Sequence, residues 1–159
     1  MGCAMRDNVV MANPYDPDIS TQVTIPGDSF AVREGLKALF DTIVLRNLPE
    51  DGRGTAEIVL AEALNNIVEH AYANHPGDIE ITLHLRPHEL ICRITDTGLP
   101  MPDDQLPEGK LAAITPDGEL PEGGFGWFLI RSLSQDLHYR REGGRNLLSF
   151  RLETGQSPH

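Results

Sequence analysis

Three short stretches of the chain carry residue types at spacings that can do chemistry. In EIVLAEALNNIVEHAYAN, residues 57–74, Glu62 and Asn66 stand four apart, which on a helix places one above the other. With Asn65 and Glu69 they make a stripe of carboxylates and amides, in a segment that has no Lys or Arg. A carboxylate there can take the proton of an attacking hydroxyl or water, and an amide oxygen is a hard ligand suited to Mg²⁺. Two adjacent asparagines are costly on an ordinary solvated helix face, because Asn is a mediocre helix former that competes for its own backbone. The second stretch is DTG, Asp96 to Gly98, at the end of a strand-like run. Gly98 lets the backbone approach a ligand closely, and a buried Asp96 would accept from an amino group such as that of adenine. The third is GGFG, made of Gly123, Gly124, Phe125 and Gly126. Free backbone N–H groups and the helix dipole at such a helix start make an anion site.

These side chains can act together only if the elements bearing them converge. A short strand, STQVTIP, precedes a helix capped by Asp28 or Ser29 and running through FAVREGLKALFDTIVLRN. Its apolar residues Val32, Leu36, Leu39, Phe40 and Ile43 follow the helical period, and LPEDGRG ends it. The helix of the polar stripe comes next, with Ile58, Val59, Leu64, Ile67, Val68 and Ala71 as its buried face, and Pro76 and Gly77 stop it. IEITLHLR and ELICRITD read as a hairpin, with Ile79, Ile81, Leu83 and Leu85 alternating inward. From Gly98 to Glu122 the chain holds five prolines and many acids, which predicts a long functional or disordered loop with at most one helical turn at KLAAI. GFGWFLIRSLSQ reads as a helix opened by glycines, and DLHYRRE and RNLLSFRL as a hairpin turning at Gly143-Gly144. This order predicts an α+β fold, a two-layer α/β sandwich whose mixed, mostly antiparallel sheet carries helices on one face. Residues 1–18 read as a mobile leader, 19–152 as one domain and 153–159 as a tail.

At 159 residues the chain is long enough to bury a core without disulfides or metals. A formal net charge of −11 argues against a general electrostatic grip on nucleic acid or on an anionic membrane, so an anionic ligand needs local donors. Cys3 and Cys92 lack metal or disulfide spacing and suit a reducing compartment, with Cys92 read as core. The absence of a long apolar run and of a signal-peptide order at the N-terminus gives the expectation of a cytoplasmic protein. Arg6 stands where a myristoylation signal wants Ser or Thr, which speaks against a lipid anchor at Gly2.

In this order, E-x-x-x-N, D-x-G after a hairpin, a lid-like loop and G-x-G opening a helix, the chain resembles the GHKL ATPase superfamily of the Bergerat fold. That superfamily includes gyrase, chaperone ATPases, histidine kinases and MutL. Within it, EALNNIVEHAY, DTGLPMP and GGFGWFLIRSLSQDLHYRREGGRNLLSF resemble the bacterial anti-sigma regulatory serine/threonine kinases, over about residues 20–152. The resemblance implies ATP and Mg²⁺ as cofactors, with Glu62 as general base and Asn66 as Mg²⁺ ligand, and it sets Asn65 on the flank facing the nucleotide. It also implies that Asp96 holds adenine, that Gly98 lines that pocket, and that the GGFG segment from Gly123 through Phe125 to Gly126 cradles phosphate at the hinge of a lid. Many superfamily members carry a Thr near adenine in the last strand. Here the turn reads GGRN, leaving Arg145 or Asn146 to supply a polar contact, and Lys110 is the one cation in the loop from Gly98 to Glu122.

Other residues take a plainer reading. His70 is read as packing or surface, and His84, His88 and His138 give no ligand spacing. Trp127 and Phe128 are read as core, and RSL and YRRE as charged surface. The length carries no phosphoacceptor helix and no second domain, which sets aside a complete sensor histidine kinase. The function expected is an ATP-dependent protein serine/threonine kinase of the anti-sigma-factor type. It would phosphorylate a STAS-type antagonist protein and sequester a sigma factor or similar regulator, as a homodimer without direct contact to nucleic acid or membrane. The rival expectation is an ATP-gated protein-binding module without significant kinase activity.

Overall fold

The computed structural model describes residues 4–6, 19–74, 76–108 and 125–154. Period-two alternation gives most of the strands. Strand β1 is Ala4–Arg6, inside the segment read as a leader, and β2 is Ile19–Pro26. After the helices come β3, Asp78–Arg86, and β4, Glu89–Asp96, joined by a tight turn at Pro87 and His88. The last hairpin is β5, Gln135–Glu142, and β6, Arg145–Glu153. Its turn residues Gly143 and Gly144 have φ of 58° and 76°, the left-handed pair that a two-residue hairpin turn requires.

The six strands form one sheet in the order β1-β2-β3-β4-β6-β5, and every pairing is antiparallel. Ile79, Ile81 and Leu83 of β3, Leu90, Cys92 and Ile94 of β4, and Leu148, Phe150 and Leu152 of β6 bury their side chains in one core. The register sets Asp96 beside Ile79 on one side and Asn146 on the other, so the polar end of β4 continues the core-facing row.

Helix α1, Ser29–Phe40, starts where Asp28 accepts a hydrogen bond from the Ala31 amide at 2.8 Å. The single helix expected through Asn47 is broken. Thr42 is buried with extended backbone, donates its hydroxyl to the Leu39 carbonyl at 2.6 Å, and starts a separate short helix α2, Ile43–Arg46. Helix α3, Glu50–Asn66, begins within LPEDGRG rather than after it. Pro49 precedes its first turn, and Glu50 and Asp51 complement the positive end of the helix dipole. Gly52 is accommodated because α3 crosses the end of β6 closely there: a Cβ would lie 3.0 Å from the Thr154 carbonyl oxygen.

Leu60 and Leu64 of α3 are fully buried, and truncating either to Ala would cost about 2–5 kcal/mol. Ile58, expected on the buried face, is 44% exposed, and Ile43 is also exposed. Periodicity alone does not mark where a buried helix face ends. Helix α4, Phe125–Leu133, packs on α3 and buries Trp127 and Ile130. Cys92 is core as expected, and burial pushes its thiol pKa up, which keeps it protonated and inert.

Candidate functional site

Helix α3 delivers Glu62 and Asn66 to the open end of the helix layer, half-buried and one turn apart. Beyond Asn66 the helix widens into a π-turn, Ile67–Ala71, closed by the Tyr72 amide donating to the Ile67 carbonyl at 3.0 Å. Such single-turn widenings free backbone groups for use elsewhere. Here the Ala71 carbonyl accepts from the Leu99 amide at 2.9 Å, which ties the end of the helix to the loop after β4.

The same loop is held a second time by Tyr72. Its buried phenol accepts from the Thr97 amide at 2.8 Å and donates to the Asp78 carbonyl at 2.6 Å. Gly98 sits where any side chain would collide with the Ala71 backbone, so glycine is required by space. Asp96 is thereby fixed at the floor of the opening, 4% exposed. Its Oδ1 accepts from the Gly98 amide at 2.9 Å and from Asn146 Nδ2 at 2.7 Å. Burial raises the Asp96 pKa from its ordinary value, and the bonds from Asn146 and Gly98 and the charge of Arg141 work against that rise.

The far wall comes from the β5–β6 hairpin. Asn146 Nδ2 also donates to the Leu99 carbonyl at 2.8 Å, and its Oδ1 accepts from Tyr139 Oη at 2.6 Å and Arg141 Nη1 at 3.0 Å. Tyr139 Oη in turn accepts from the Met101 amide at 2.9 Å, and Arg141 Nη1 donates to the Gly98 carbonyl at 2.6 Å.

Between these walls lies a cavity of about 680 Å³, within the range of small-molecule sites. Glu62, Asn66, Glu69 and His70 line it from the helix side, Asp96 and Asn146 from the sheet, and Gly126 and Trp127 from α4. Gly126 brings the α4 backbone directly over the polar stripe: a Cβ there would stand 2.7 Å from Glu62 Oε2 and 3.2 Å from Asn66 Nδ2. That Asn66 nitrogen is buried with no hydrogen-bond partner among the described residues.

A buried amide left unpaired at a cavity wall costs stability unless a ligand completes it. Turning the amide over would present its oxygen instead, since which amide atom faces a group is set by the partner available. Among the described residues no three His, Cys, Asp or Glu side chains gather as a metal cage. With its amide turned over, Asn66 would fit a Mg²⁺ that takes most of its ligands from phosphate oxygens and water and only one or two from protein.

Of the residues singled out in the sequence, the fold brings Glu62, Asn66, Asp96, Gly126 and Asn146 to the cavity and sets Gly98 beneath it. Asn65 is exposed and does not line the cavity. Phe125 opens α4, while Gly123, Gly124 and Lys110 lie outside the described residues. Of the two candidates in GGRN, Asn146 is buried in the site and Arg145 is exposed. Plain readings of His70 and of YRRE missed site residues. His70 is exposed, as a surface reading expects, but also lines the cavity, as Tyr139 does, while Arg141 braces Asn146 and the Gly98 carbonyl without lining it. The period-two row Leu137, Tyr139, Arg141 was the available signal, since it places all three on the core side of β5. Trp127 is core as expected and lines the cavity as well.

The family described as histidine kinase-like ATPase domain matches residues 30–152. The chain is also similar to proteins named serine-protein kinase RsbW from Bacillus thuringiensis (strain Al Hakam), Bacillus cereus (strain 03BB102) and Bacillus anthracis. Each is 32% identical over 94 residues, which cover 58% of this chain and 59% of the relative. The chain thus spans about 59% of the length of the curated relatives it matches.

Proposed function

The chain belongs to the histidine kinase-like ATPase domain family, and from that premise we propose that it is an ATP-dependent protein serine/threonine kinase of the anti-sigma-factor type. Its substrate would be a seryl or threonyl hydroxyl on a STAS-domain antagonist, and its second partner a sigma factor or similar regulator. A homodimer is the proposed assembly, by analogy with the family. No helix among the described residues is long and apolar enough to cross a membrane, in keeping with the proposed cytoplasmic setting.

The observation that carries this reading is the convergence of Glu62, Asn66, Asp96 and the start of α4 on one cavity. Adenine would lie at the floor, donating its amino group to Asp96, with Trp127 and Leu148 among the apolar lining. The phosphates would then run toward Glu62, Asn66 and the first turn of α4, where unpaired amides favour anions. Bound with the nucleotide, Mg²⁺ would neutralise phosphate charge, which matters in a cavity whose lining includes Glu62, Glu69 and Asp96. Glu62 would accept the proton of the substrate hydroxyl as its oxygen bonds to the γ-phosphorus. The bond from that phosphorus to the bridging oxygen breaks, and ADP leaves with the electron pair.

One observation favours the rival, an ATP-gated binding module without significant kinase activity. No Lys or Arg lines the cavity among the described residues, and the stretch 98–108 holds Asp103, Asp104 and Glu108 but no cation. Phosphoryl transfer relies on positive charge around the moving group. Incubating the full chain with labelled Mg-ATP and its STAS-domain partner separates the two. Labelled partner supports the kinase, and tight binding of ATP and partner without transfer supports the module.

A further inference from the structure

Asn146 takes the place at which the wider superfamily offers a polar contact to the base, yet its side chain has nothing left to offer. An amide has two N–H donors and two acceptor lone pairs. Both donors are used, on Asp96 Oδ1 at 2.7 Å and the Leu99 carbonyl at 2.8 Å, and both lone pairs are used, by Tyr139 Oη at 2.6 Å and Arg141 Nη1 at 3.0 Å. Turning the amide over is barred, because its NH₂ would then face a guanidinium that can only donate and its oxygen would face a carboxylate.

Asp96 shows the complementary pattern. Its Oδ1 is doubly bonded, by Gly98 and Asn146, and no described residue donates to Oδ2. The same three side chains also grip the loop that follows: Arg141 holds the Gly98 carbonyl, Asn146 the Leu99 carbonyl and Tyr139 the Met101 amide. Three successive links from one hairpin therefore set both the carboxylate and the backbone beside it.

Resting on the adenine-nucleotide reading above, we infer that Asn146, Arg141 and Tyr139 are positioning residues that form a clamp, whose polar groups act on the base through Asp96. The clamp occupies Oδ1 and leaves Oδ2 as the lone acceptor for an exocyclic amino group. It does two things a direct contact would not. It fixes which carboxylate oxygen faces the ligand, so a base with a carbonyl in place of that amino group meets a second acceptor and is rejected. It also works against burial, which favours the protonated acid, through the Asn146 and Gly98 bonds and the Arg141 charge. The titratable and charged groups around Asp96 are Arg141 and Tyr139 from β5, Glu69, His70 and Tyr72 from the end of the helix, and Glu62 across the cavity.

The test measures the affinity of the full-length protein for Mg-ATP and Mg-GTP from pH 5 to 8, with thermal unfolding as a check on folding. Variants are Arg141→Gln, Asn146→Ala and Tyr139→Phe, each made also with His70→Gln so that the histidine's own titration is removed. With Arg141 or Asn146 replaced, the acid loss of ATP affinity should move toward neutral pH. At the wild-type midpoint these variants should bind ATP about fivefold more weakly, because a smaller fraction of the carboxylate is ionised there. Tyr139→Phe removes a neutral partner and should narrow the ATP-over-GTP preference with little change in the midpoint. If Asn146→Ala does not fold, Arg141→Gln carries the test alone. Equal losses for ATP and GTP with an unmoved pH profile would make the three residues merely structural and overturn the clamp. A wild-type protein that binds neither nucleotide would overturn the adenine reading and the clamp with it.

Discussion

Gly126 lies directly over the carboxylate of Glu62, with room for a hydrogen but not for a methyl group: a Cβ would stand 2.7 Å from Oε2. The atom it would meet is the far end of a flexible side chain, so the protein can yield at little cost by swinging Glu62 aside. Ala is also a better helix former than Gly by about 1 kcal/mol. Gly126→Ala should therefore leave the melting temperature equal or higher, while phosphoryl transfer falls on the order of 100-fold because the base is displaced. Thermal unfolding and a transfer assay on the same preparation check this, and loss of both together would mean the site is structural.

Glu62→Gln keeps the size and hydrogen bonding of the side chain but removes the proton acceptor. Nucleotide affinity should stay within about twofold, while transfer falls by roughly 10²- to 10⁴-fold. Quench-flow or single-turnover phosphorylation alongside equilibrium binding measures the split. Transfer at the normal rate would remove Glu62 from the mechanism.

Asn66 has a buried amide nitrogen with no hydrogen-bond partner among the described residues. Replacing it with Ala takes away a group whose desolvation is uncompensated, so stability should hold or rise by up to about 1 kcal/mol. Nucleotide affinity in millimolar Mg²⁺ should fall toward the value measured in EDTA, where Asn66→Ala and wild type should bind alike. A variant still fully responsive to Mg²⁺ would exclude Asn66 as a ligand.

The Asp96 pKa is raised, chiefly by burial. A group whose folded pKa exceeds its unfolded value gives stability that is complete below the unfolded pKa and is lost as pH rises through the folded one. For the free protein, Asp96 thus favours the native state on the acid side of that window, and Asp96→Asn should lessen the decline in stability as pH rises through it. Ligand binding runs the opposite way, since only the ionised carboxylate leaves Oδ2 free of a proton. Adenine nucleotide affinity should therefore fall on acidification at a higher pH than an unperturbed Asp would give, which calorimetric titration across pH 4 to 7 would show. Saturating Mg-ATP at pH 7 should raise the melting temperature by mass action.

Gly98→Ala makes a contrasting prediction. The added methyl meets the Ala71 carbonyl, carbon and Cβ, part of a backbone already fixed by the Leu99 amide. Nothing there can swing away, so a loss of about 1–3 kcal/mol in chemical denaturation should accompany weakened nucleotide binding. An unchanged denaturation midpoint would show that the π-turn yields.

Periodicity made the sheet legible: Ile79, Ile81 and Leu83 alternate with polar residues, and Gly143-Gly144 announces its turn, because side-chain direction in a strand depends only on position. Helix limits were less legible. Thr42 breaks the first helix by burying its hydroxyl on Leu39, and Gly52 lies inside α3 because Thr154 lies against it, neither of which local propensity encodes. Sequence by itself determined the chemistry available, a carboxylate and an amide one turn apart, an Asp at a strand end and glycines at a helix start. It did so because those spacings act within single elements. Only the tertiary structure decided that Asn146 rather than Arg145 enters the site, that Tyr139 lines it while Arg141 braces Asn146, and that Asn65 stays outside. Those outcomes depend on strand register and on the width of the π-turn, which join residues such as Arg141 and Gly98, or Tyr72 and Thr97, from distant parts of the chain.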